Sequence, residues 1–150
     1  VSHLHDHLCG EDNRFNGRLV SVDLAPRCLR DLTFLAQKRP GLVPVLGDAR
    51  RHEAWGVLLP RKVNWLFQDV AQAGQVDIFT SACRRFLAPG GMGLLSLKAA
   101  SERWTGEGEA ALFEEVEQRL NDAGFNVDES IELACYEDHH RLFVIHSPEA

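Results

Sequence analysis

The sequence predicts an α/β fold with a mostly parallel β-sheet covered by helices on both faces. Short, almost continuously apolar runs, which are typical of strands buried on both faces, alternate along the chain with segments of helical periodicity. The last two predicted strands are joined only by the polar stretch 134–141. A parallel crossover needs about a dozen residues or more, so we expect these two strands to run antiparallel.

The N-terminal half of the chain alternates helix and strand. Residues 1–9 have weak helical periodicity, and the apolar run at 18–23, which ends in an acid, predicts a strand. A helix is predicted from Pro26 to a basic end at 38–39, just before Pro40, because a proline suits a first helical turn and the apolar positions recur at helical spacing. A second apolar run predicts a strand at 42–46, and a short helix is predicted at 52–58.

The C-terminal half continues the alternation and ends in two strands. The apolar runs and helical periodicities place these elements at 63–67, 75–87, 92–98, 112–120, 125–133 and 142–146. The Pro-Gly-Gly sequence at 89–91 predicts a turn, and the segment 99–108, rich in Ser, Gly and charged residues, predicts a long loop.

The composition is that of one globular domain, which we expect to span residues 1–150. Of these 150 residues, 45% are hydrophobic and 25% are charged. No apolar run approaches the roughly 20 residues of a membrane span, and the first residues do not resemble a signal peptide. We therefore expect a cytoplasmic protein.

The charge balance and the cysteines argue against two classes of function. The chain has 22 acidic and 16 basic residues, a formal net charge of −6. Because phosphate neutralisation needs clustered Lys and Arg, this balance argues against a domain that grips nucleic acid by a broad basic face. A nucleic-acid function would therefore need a partner to hold the substrate. The four cysteines contain no CxxC pair, so we expect free thiols.

Polar residues follow four successive predicted strands. Ligands of open α/β sheets bind outside the carboxyl ends of the strands, and these ends carry Asp23, Asp48, Asp69 and Lys98. An acid after the second strand of a Rossmann-like domain accepts hydrogen bonds from a nucleoside ribose. Taken singly, Asp23 could instead cap the following helix, and the Gly-Asp-Ala sequence at 47–49 could be a turn. Three acids and a lysine together favour a binding site.

Six short motifs, in this order and spacing, resemble the fibrillarin family, and the archaeal fibrillarin-like form fits best. The Asp-Val-Ala-Gln run is the most specific of them. The motifs are Val-Asp-Leu-Ala-Pro-Arg at 22–27, Leu-Gly-Asp-Ala at 46–49, Gln-Asp-Val-Ala-Gln at 68–72, Pro-Gly-Gly-Met-Gly at 89–93, Leu-Lys at 97–98 and Tyr-Glu-Asp-His-His at 136–140. The resemblance implies a class I methyltransferase fold, a Rossmann-like three-layer sandwich, and 2′-O-methylation of ribose with S-adenosylmethionine as cofactor.

The resemblance also implies the residues of the site. It places catalysis on Asp69, Lys98 and His140. It places S-adenosylmethionine on Asp23, Leu24, Asp48, Ala49, Asp69, Val70, Ala71 and Gln72. Methyl transfer from a sulfonium to a hydroxyl is an in-line displacement, for which a carboxylate can orient groups near the sulfonium and an ammonium can stabilise the alkoxide or, if desolvated, take the proton.

The chain departs from the family pattern at several positions. Glu is usual at positions 23 and 68, where this chain has Asp and Gln. Position 100 is Ala where Arg is usual, and position 139 is His where Asp is usual. Both departures lie at the catalytic end of the predicted site. The family's first strand and glycine-rich cofactor loop should precede Val1, so we expect a shortened sequence rather than an evolved loss, since a sheet without that strand would expose two edges.

The partners that the family implies are a box C/D guide RNA, a Nop-domain scaffold protein and a kink-turn-binding ribosomal-type protein. The expected substrates are ribosomal RNA and transfer RNA, and a eukaryotic member would be nucleolar. No membrane partner is expected.

Two other interpretations remain open on the sequence. A methyltransferase-like domain without its cofactor loop could serve as a non-catalytic assembly subunit. The sequence His3-Leu4-His5-Asp6-His7 resembles, with its spacing wrong by one residue, the histidine cluster of metallo-β-lactamase-like hydrolases. His3 and His7 could share a metal ion on a helix, but most such pairs are solvated, and we predict no metal site.

Overall fold

The described strands form a two-stranded sheet and a four-stranded sheet. The computed structural model describes residues 1–9, 17–59, 61–136 and 139–150. For Cys9 it describes the backbone but not the side chain. The chain divides into two compact units, Val1–Leu58 and Leu59–Ala150. The α/β class is confirmed, and the expectation of one domain stays a prediction.

The first unit is a small α/β structure around a parallel strand pair. Its elements are α1 (Ser2–Cys9), β1 (Leu19–Asp23), α2 (Pro26–Ala36), β2 (Leu42–Leu46) and α3 (His52–Trp55), with single 3₁₀ turns at Ala49–Arg51 and Gly56–Leu58. The two strands pair in parallel, with Leu19 opposite Leu42 and Asp23 opposite Leu46. Both strands therefore end at the same edge of this sheet.

The second unit contains the four-stranded sheet. Its elements are β3 (Val63–Gln68), α4 (Gln75–Phe86), β4 (Leu87–Lys98), α5 (Gly108–Asp122), β5 (Asn126–Glu132) and β6 (His140–His146). The strand order is β3-β4-β6-β5; β3 and β4 are parallel, and β6 is antiparallel to both of its neighbours. The predicted antiparallel C-terminal hairpin is confirmed.

A single apolar cluster forms the core of the second unit. The apolar faces of α4 and α5 pack on one face of the sheet, and the cluster includes the fully buried Phe79, Leu95 and Phe143. The rings of Phe113 and Phe143 lie 6.3 Å apart at 58°, a tilted aromatic contact. Burial of this cluster holds β4 and β6 in the register described below.

Strand β4 begins earlier than the sequence predicts. The Pro-Gly-Gly segment, predicted as a turn, belongs to the strand, which starts at Leu87. The backbone N–H of Ser147 donates to Gly91 O at 2.9 Å, and the N–H of Gly90 donates to Ser147 O at 3.2 Å. The segment is an irregular part of the strand, because the pairing with β3 passes from Leu87 opposite Val63 to Met92 opposite Trp65, and Gly90 has a φ of 68°. The predicted turn is therefore a bulge inside β4 and not a connection before it.

No helix in the described ranges is long and apolar enough to cross a membrane.

The thiol of Cys83 should resist alkylation in the folded protein. Cys28, Cys83 and Cys135 are free, as predicted, and Cys83 alone of these three is buried. Burial raises the pKa of the Cys83 thiol to about 12, so almost no thiolate forms near pH 8. Mass spectrometry after iodoacetamide treatment should find Cys28 and Cys135 modified and Cys83 intact. Alkylation of Cys83 as fast as of Cys28 would contradict this packing.

Candidate functional site

Asp23 is the last residue of β1, and one of its two carboxylate oxygens accepts a hydrogen bond. Asp23 Oδ1 accepts a hydrogen bond from the backbone N–H of Ala25 at 2.8 Å, which holds the turn into α2. Gly47 N donates to Asp23 O at 3.0 Å, so the ends of β1 and β2 are joined directly. Asp23 therefore holds the start of the following helix through Oδ1, as the capping interpretation proposed. Within the described residues Oδ2 accepts no hydrogen bond, and Leu24 beside it is exposed.

Asp48 follows β2 and is bound by a neighbouring arginine. Arg50 Nη2 donates to Asp48 Oδ2 at 2.8 Å and Arg50 Nε donates to Oδ1 at 3.1 Å, a two-pronged contact. The backbone N–H of Arg50 also donates to Oδ1, at 2.9 Å. Asp48 thus caps the following 3₁₀ turn, and any ligand that approaches its carboxylate must share it with Arg50.

The glycine before Asp48 is required by packing. A Cβ atom at Gly47 would lie 2.5 Å from Trp55 Cδ1, because the indole ring of Trp55 covers this position. Trp55 Nε1 donates to Asp48 O at 2.9 Å. Trp55 therefore fixes the backbone of the Gly-Asp-Ala motif, a role that the sequence analysis did not assign to it.

Removal of Arg50 should raise the pKa of Asp48. The hydrogen bonds from Arg50 hold the pKa of the Asp48 carboxyl below its ordinary value of 3.8. A lowered carboxyl pKa stabilises the fold fully above the ordinary value, and this contribution is lost as the pH falls through the lowered pKa. In Arg50→Met we expect the Asp48 pKa, followed by carboxyl ¹³C NMR, to return towards 3.8.

Arg51→Met is the matched control, because Arg51 affects Asp48 only by its charge and more weakly than Arg50 does. An Asp48 pKa that is equal in both variants would show that the Arg50 contact does not form in solution.

In the second unit, Asp69 and Lys98 come at the ends of two paired strands. Gln68, the last residue of β3, lies opposite Leu95 of β4, so Asp69 begins the following loop beside the last residues of β4. Asp69 is exposed and Lys98 is half-buried. The predicted proximity of these two strand ends is thus present in the fold.

The structure places Lys98 directly opposite His140. The two residues are partners in the antiparallel β4–β6 ladder. Ala99 N donates to His139 O at 3.0 Å, which makes Lys98 and His140 a non-hydrogen-bonded pair, the type in which facing side chains are closest. His140 is buried and begins β6, although the sequence analysis placed it in the preceding loop.

His139, the departure beside His140, is directed elsewhere. Its Nδ1 lies 2.6 Å from Glu109 Oε1 at the start of α5, and its φ of 62° is in the left-handed region. The other departure, Ala100, is exposed. Residues 137 and 138 of the same motif lie outside the described residues. Of the two adjacent histidines, His140 is the one that faces Lys98.

The loop after β3 contains a buried acceptor without a donor. Among the described residues Gln72 Oε1 is buried and has no hydrogen-bond partner. Val70 beside it is half-buried and Ala71 is exposed. Leaving such a group unpaired costs about 1–3 kcal/mol, so this position suits a ligand that brings an N–H donor. The ammonium of a methionine moiety is such a donor, and the loop therefore fits the predicted cofactor.

Two residues that the sequence analysis missed hold the backbone of Lys98. Both polar atoms of the Gln75 side chain bond to the Lys98 main chain, Oε1 with Lys98 N and Nε2 with Lys98 O, each at 3.0 Å. Glu102 Oε1 accepts from Gln75 Nε2 and from Gln75 N, both at 2.9 Å. A glutamine at the start of a helix is usually exposed, so the sequence contained no clear signal for this contact.

The N-terminal histidines do not converge. His3 and His7 are one helical turn apart on α1, as predicted, whereas His5 is buried with its Nε2 2.8 Å from Pro40 O. Arg39 forms an ion pair with Asp6 and approaches His5 Nδ1 at 3.3 Å. In the described parts of the chain no group of three or more His, Cys, Asp or Glu residues could hold a metal ion. His5 instead fixes α1 to the segment before β2.

Comparison with known proteins identifies the family of this architecture. The fibrillarin family model matches residues 1–148. The fibrillarin-like rRNA/tRNA 2′-O-methyltransferase of Thermococcus gammatolerans is 40% identical over 134 residues, which cover 89% of this chain and 58% of that protein. The chain therefore spans about three-fifths of the length of the curated relatives it matches.

Solved structures confirm the fold. Aeropyrum pernix fibrillarin, crystallised with natively bound S-adenosyl-L-methionine, matches with a TM-score of 0.75 and 30% identity over 89% of this chain and 58% of its own. The fibrillarin/Nop5p complex matches with a TM-score of 0.80 and 24% identity over 95% of this chain and 66% of its own. The predicted Rossmann-like methyltransferase fold is confirmed.

Proposed function

Because this chain belongs to the fibrillarin family, we propose that the protein transfers a methyl group from S-adenosylmethionine to a ribose 2′-hydroxyl of ribosomal or transfer RNA. The observation that carries this proposal is the placement of Lys98 opposite His140, beside the loop that starts at Asp69. A lysine and a buried histidine paired at a strand end suit the deprotonation of a weakly acidic hydroxyl.

We propose the cofactor-binding residues from the motifs that resemble those of the family. In the first unit Asp23 and Leu24 contact the ribose and adenine, and Asp48 and Ala49 contact the adenine. In the second unit the loop 69–72 contacts the methionine part, where Gln72 Oε1 accepts from its ammonium. Two observations support this assignment: Gln72 Oε1 lacks a donor within the described residues, and the similar Aeropyrum pernix fibrillarin binds S-adenosyl-L-methionine.

The chemistry needs alignment and removal of one proton. When bound, S-adenosylmethionine supplies the methyl group on a sulfonium. Asp69, exposed at the end of β3, orients groups beside the sulfonium by its negative charge. The Lys98 ammonium stabilises the alkoxide that develops as the hydroxyl loses its proton, and the neutral imidazole of His140 accepts that proton. The ladder register keeps these two side chains on the same face of the sheet.

Asp23→Ala should weaken cofactor binding by about 1–3 kcal/mol, the cost of leaving the bound ribose hydroxyls without their acceptor. The ribose hydroxyls would lose Asp23 Oδ2 as their hydrogen-bond acceptor. Within the described residues this oxygen accepts no other hydrogen bond. Isothermal titration of the full-length protein with S-adenosylmethionine measures the effect. Asp31→Ala is the control, because Asp31 is an exposed acid of α2 paired only with Arg30 in the described chain. Equal dissociation constants for Asp23→Ala and Asp31→Ala would place the nucleoside elsewhere.

The charge of the chain favours dependence on partners. A net charge of −6 disfavours tight binding of RNA by this chain alone, because each phosphate contact needs a Lys or Arg. We propose that a Nop-domain scaffold protein, a kink-turn-binding protein and a box C/D guide RNA present the substrate. Support comes from the structural likeness to fibrillarin in its complex with Nop5p. Because the matched curated relatives are archaeal, we place this activity in the cytoplasm.

The proposal is tested by methyl transfer from labelled cofactor to a short target RNA. The full-length protein alone should transfer little label, and addition of scaffold protein, kink-turn protein and matching guide RNA should produce substantial transfer. Efficient, sequence-selective transfer by the protein alone would overturn the partner dependence. An assembled complex that transfers no label would favour the non-catalytic subunit.

A further inference from the structure

We propose that Gln75, held in place by Glu102, is a positioning residue for Lys98. The inference rests on the proposed function, because it concerns the side chain that the transfer requires. Neither residue belongs to the motifs that carry the resemblance. The proposal comes from the hydrogen bonds around the Lys98 peptide groups.

The backbone N–H and C=O of Lys98 have no partner strand in the described sheet. Lys98 and His140 form a non-hydrogen-bonded pair, so Lys98 N and O are directed away from β6. On that side lies β3, whose pairing with β4 ends at Gln68 and Leu95. The last residue of β4 therefore has a donor and an acceptor that no strand among the described residues can satisfy.

The Gln75 carboxamide replaces the missing strand. It accepts from Lys98 N through Oε1 and donates to Lys98 O through Nε2, each at 3.0 Å. A carboxamide presents the same donor and acceptor as a peptide group. Gln75 has no exposed surface, so water does not compete for these bonds. The pair of bonds fixes both the position and the orientation of the Lys98 peptide units.

Glu102 and Gln68 in turn fix Gln75. The Glu102 carboxylate accepts from Gln75 N at 2.9 Å and from Gly74 N at 3.3 Å, so its negative charge caps the N-terminus of α4. Its Oε1 also accepts from Gln75 Nε2. Gln68 Nε2 donates to Gln75 O at 2.8 Å. The same side chains thus join the ends of β3 and β4 to the start of α4.

This arrangement determines where the Lys98 side chain starts. With its peptide units held, the Cα–Cβ bond of Lys98 keeps its direction towards the face shared with His140. Without Gln75, the end of β4 could rotate and move Lys98 Nζ away from the reacting hydroxyl. Misplacement by about 1 Å can cost on the order of 100-fold in rate.

The test compares Gln75→Met with Thr80→Val in the assembled full-length complex. Thr80 is a buried residue of the same helix whose hydroxyl donates to Asp77 O at 3.3 Å and does not touch Lys98. Gln75→Met should lower kcat about 10- to 100-fold with KM for the RNA unchanged. Thr80→Val should keep kcat within about two-fold. Glu102→Gln, at a half-buried position, is a second variant in case Gln75→Met does not fold, with an expected loss of about three- to ten-fold.

Hydrogen exchange of the Lys98 backbone amide, followed by NMR, measures the positioning independently of methyl transfer. The protection of this amide against exchange should fall in Gln75→Met and stay at the wild-type level in Thr80→Val. A kcat for Gln75→Met and Glu102→Gln as high as for Thr80→Val would overturn the proposal. If the wild-type complex transfers no methyl group, the proposed function has failed. In that case, unchanged protection of the Lys98 amide in Gln75→Met would overturn the positioning role of Gln75 as well. Lost protection of the Lys98 amide would support that role.

Discussion

Lys98→Met is expected to lower the rate of methyl transfer by about 10²- to 10³-fold, the range found for loss of a group that stabilises a developing oxyanion. Methionine retains much of the length of the lysine side chain and removes the ammonium. The developing alkoxide then lacks its stabilising charge, and His140 lacks the partner that faces it across the β4–β6 ladder. Single-turnover transfer in the assembled complex measures the effect.

Lys38→Met is the matched control, because Lys38 is an exposed lysine just after α2. It should leave transfer unchanged, and neither variant should release RNA or S-adenosylmethionine. A Lys98→Met complex with the wild-type single-turnover rate would remove Lys98 from the catalytic site.

Phe143→Ala is expected to lower the free energy of unfolding by about 3–5 kcal/mol, as for other large-to-small changes in packed cores. Phe143 has no exposed surface and lies in β6, against the ring of Phe113. It is opposite Leu95 in the ladder that also pairs Lys98 with His140. The cavity therefore weakens the contact between β4 and β6 as well as the core.

Chemical denaturation of the full-length protein measures this loss. Phe34→Ala is the control, because Phe34 is 57% exposed on α2 and a surface change of this kind stays within about 0.5 kcal/mol. A loss from Phe143→Ala as small as that from Phe34→Ala would contradict the core described above.

The sequence was sufficient for the elements that depend on local pattern. Apolar runs at period two or without polar interruption marked β1 to β4, and the short polar connection 134–141 required the antiparallel hairpin. The strand-end residues Asp23, Asp48, Asp69 and Lys98 could be located because a parallel strand ends where its apolar run ends.

Contacts between distant segments could not be predicted in this way. The pairing of Lys98 with His140 depends on the register of two strands separated by α5 and β5 along the chain, and a shift of one residue would place His140 on the opposite face. The bonds of Gln75 to Lys98 depend on β3 ending before β4 does. The early start of β4 depends on Ser147, which lies beyond the last strand. Each requires the assembled sheet.

The central claim is that the methyl group goes to a ribose 2′-oxygen, and the most direct measurement is the position of the label in the product RNA. The complete complex would be supplied with S-adenosylmethionine whose methyl group is deuterated, and the target RNA would be digested to nucleosides and analysed by mass spectrometry. We expect the label on the ribose of the single nucleotide selected by the guide RNA, and its loss in Lys98→Met. Label on a base, or on ribose irrespective of the guide, would contradict the account.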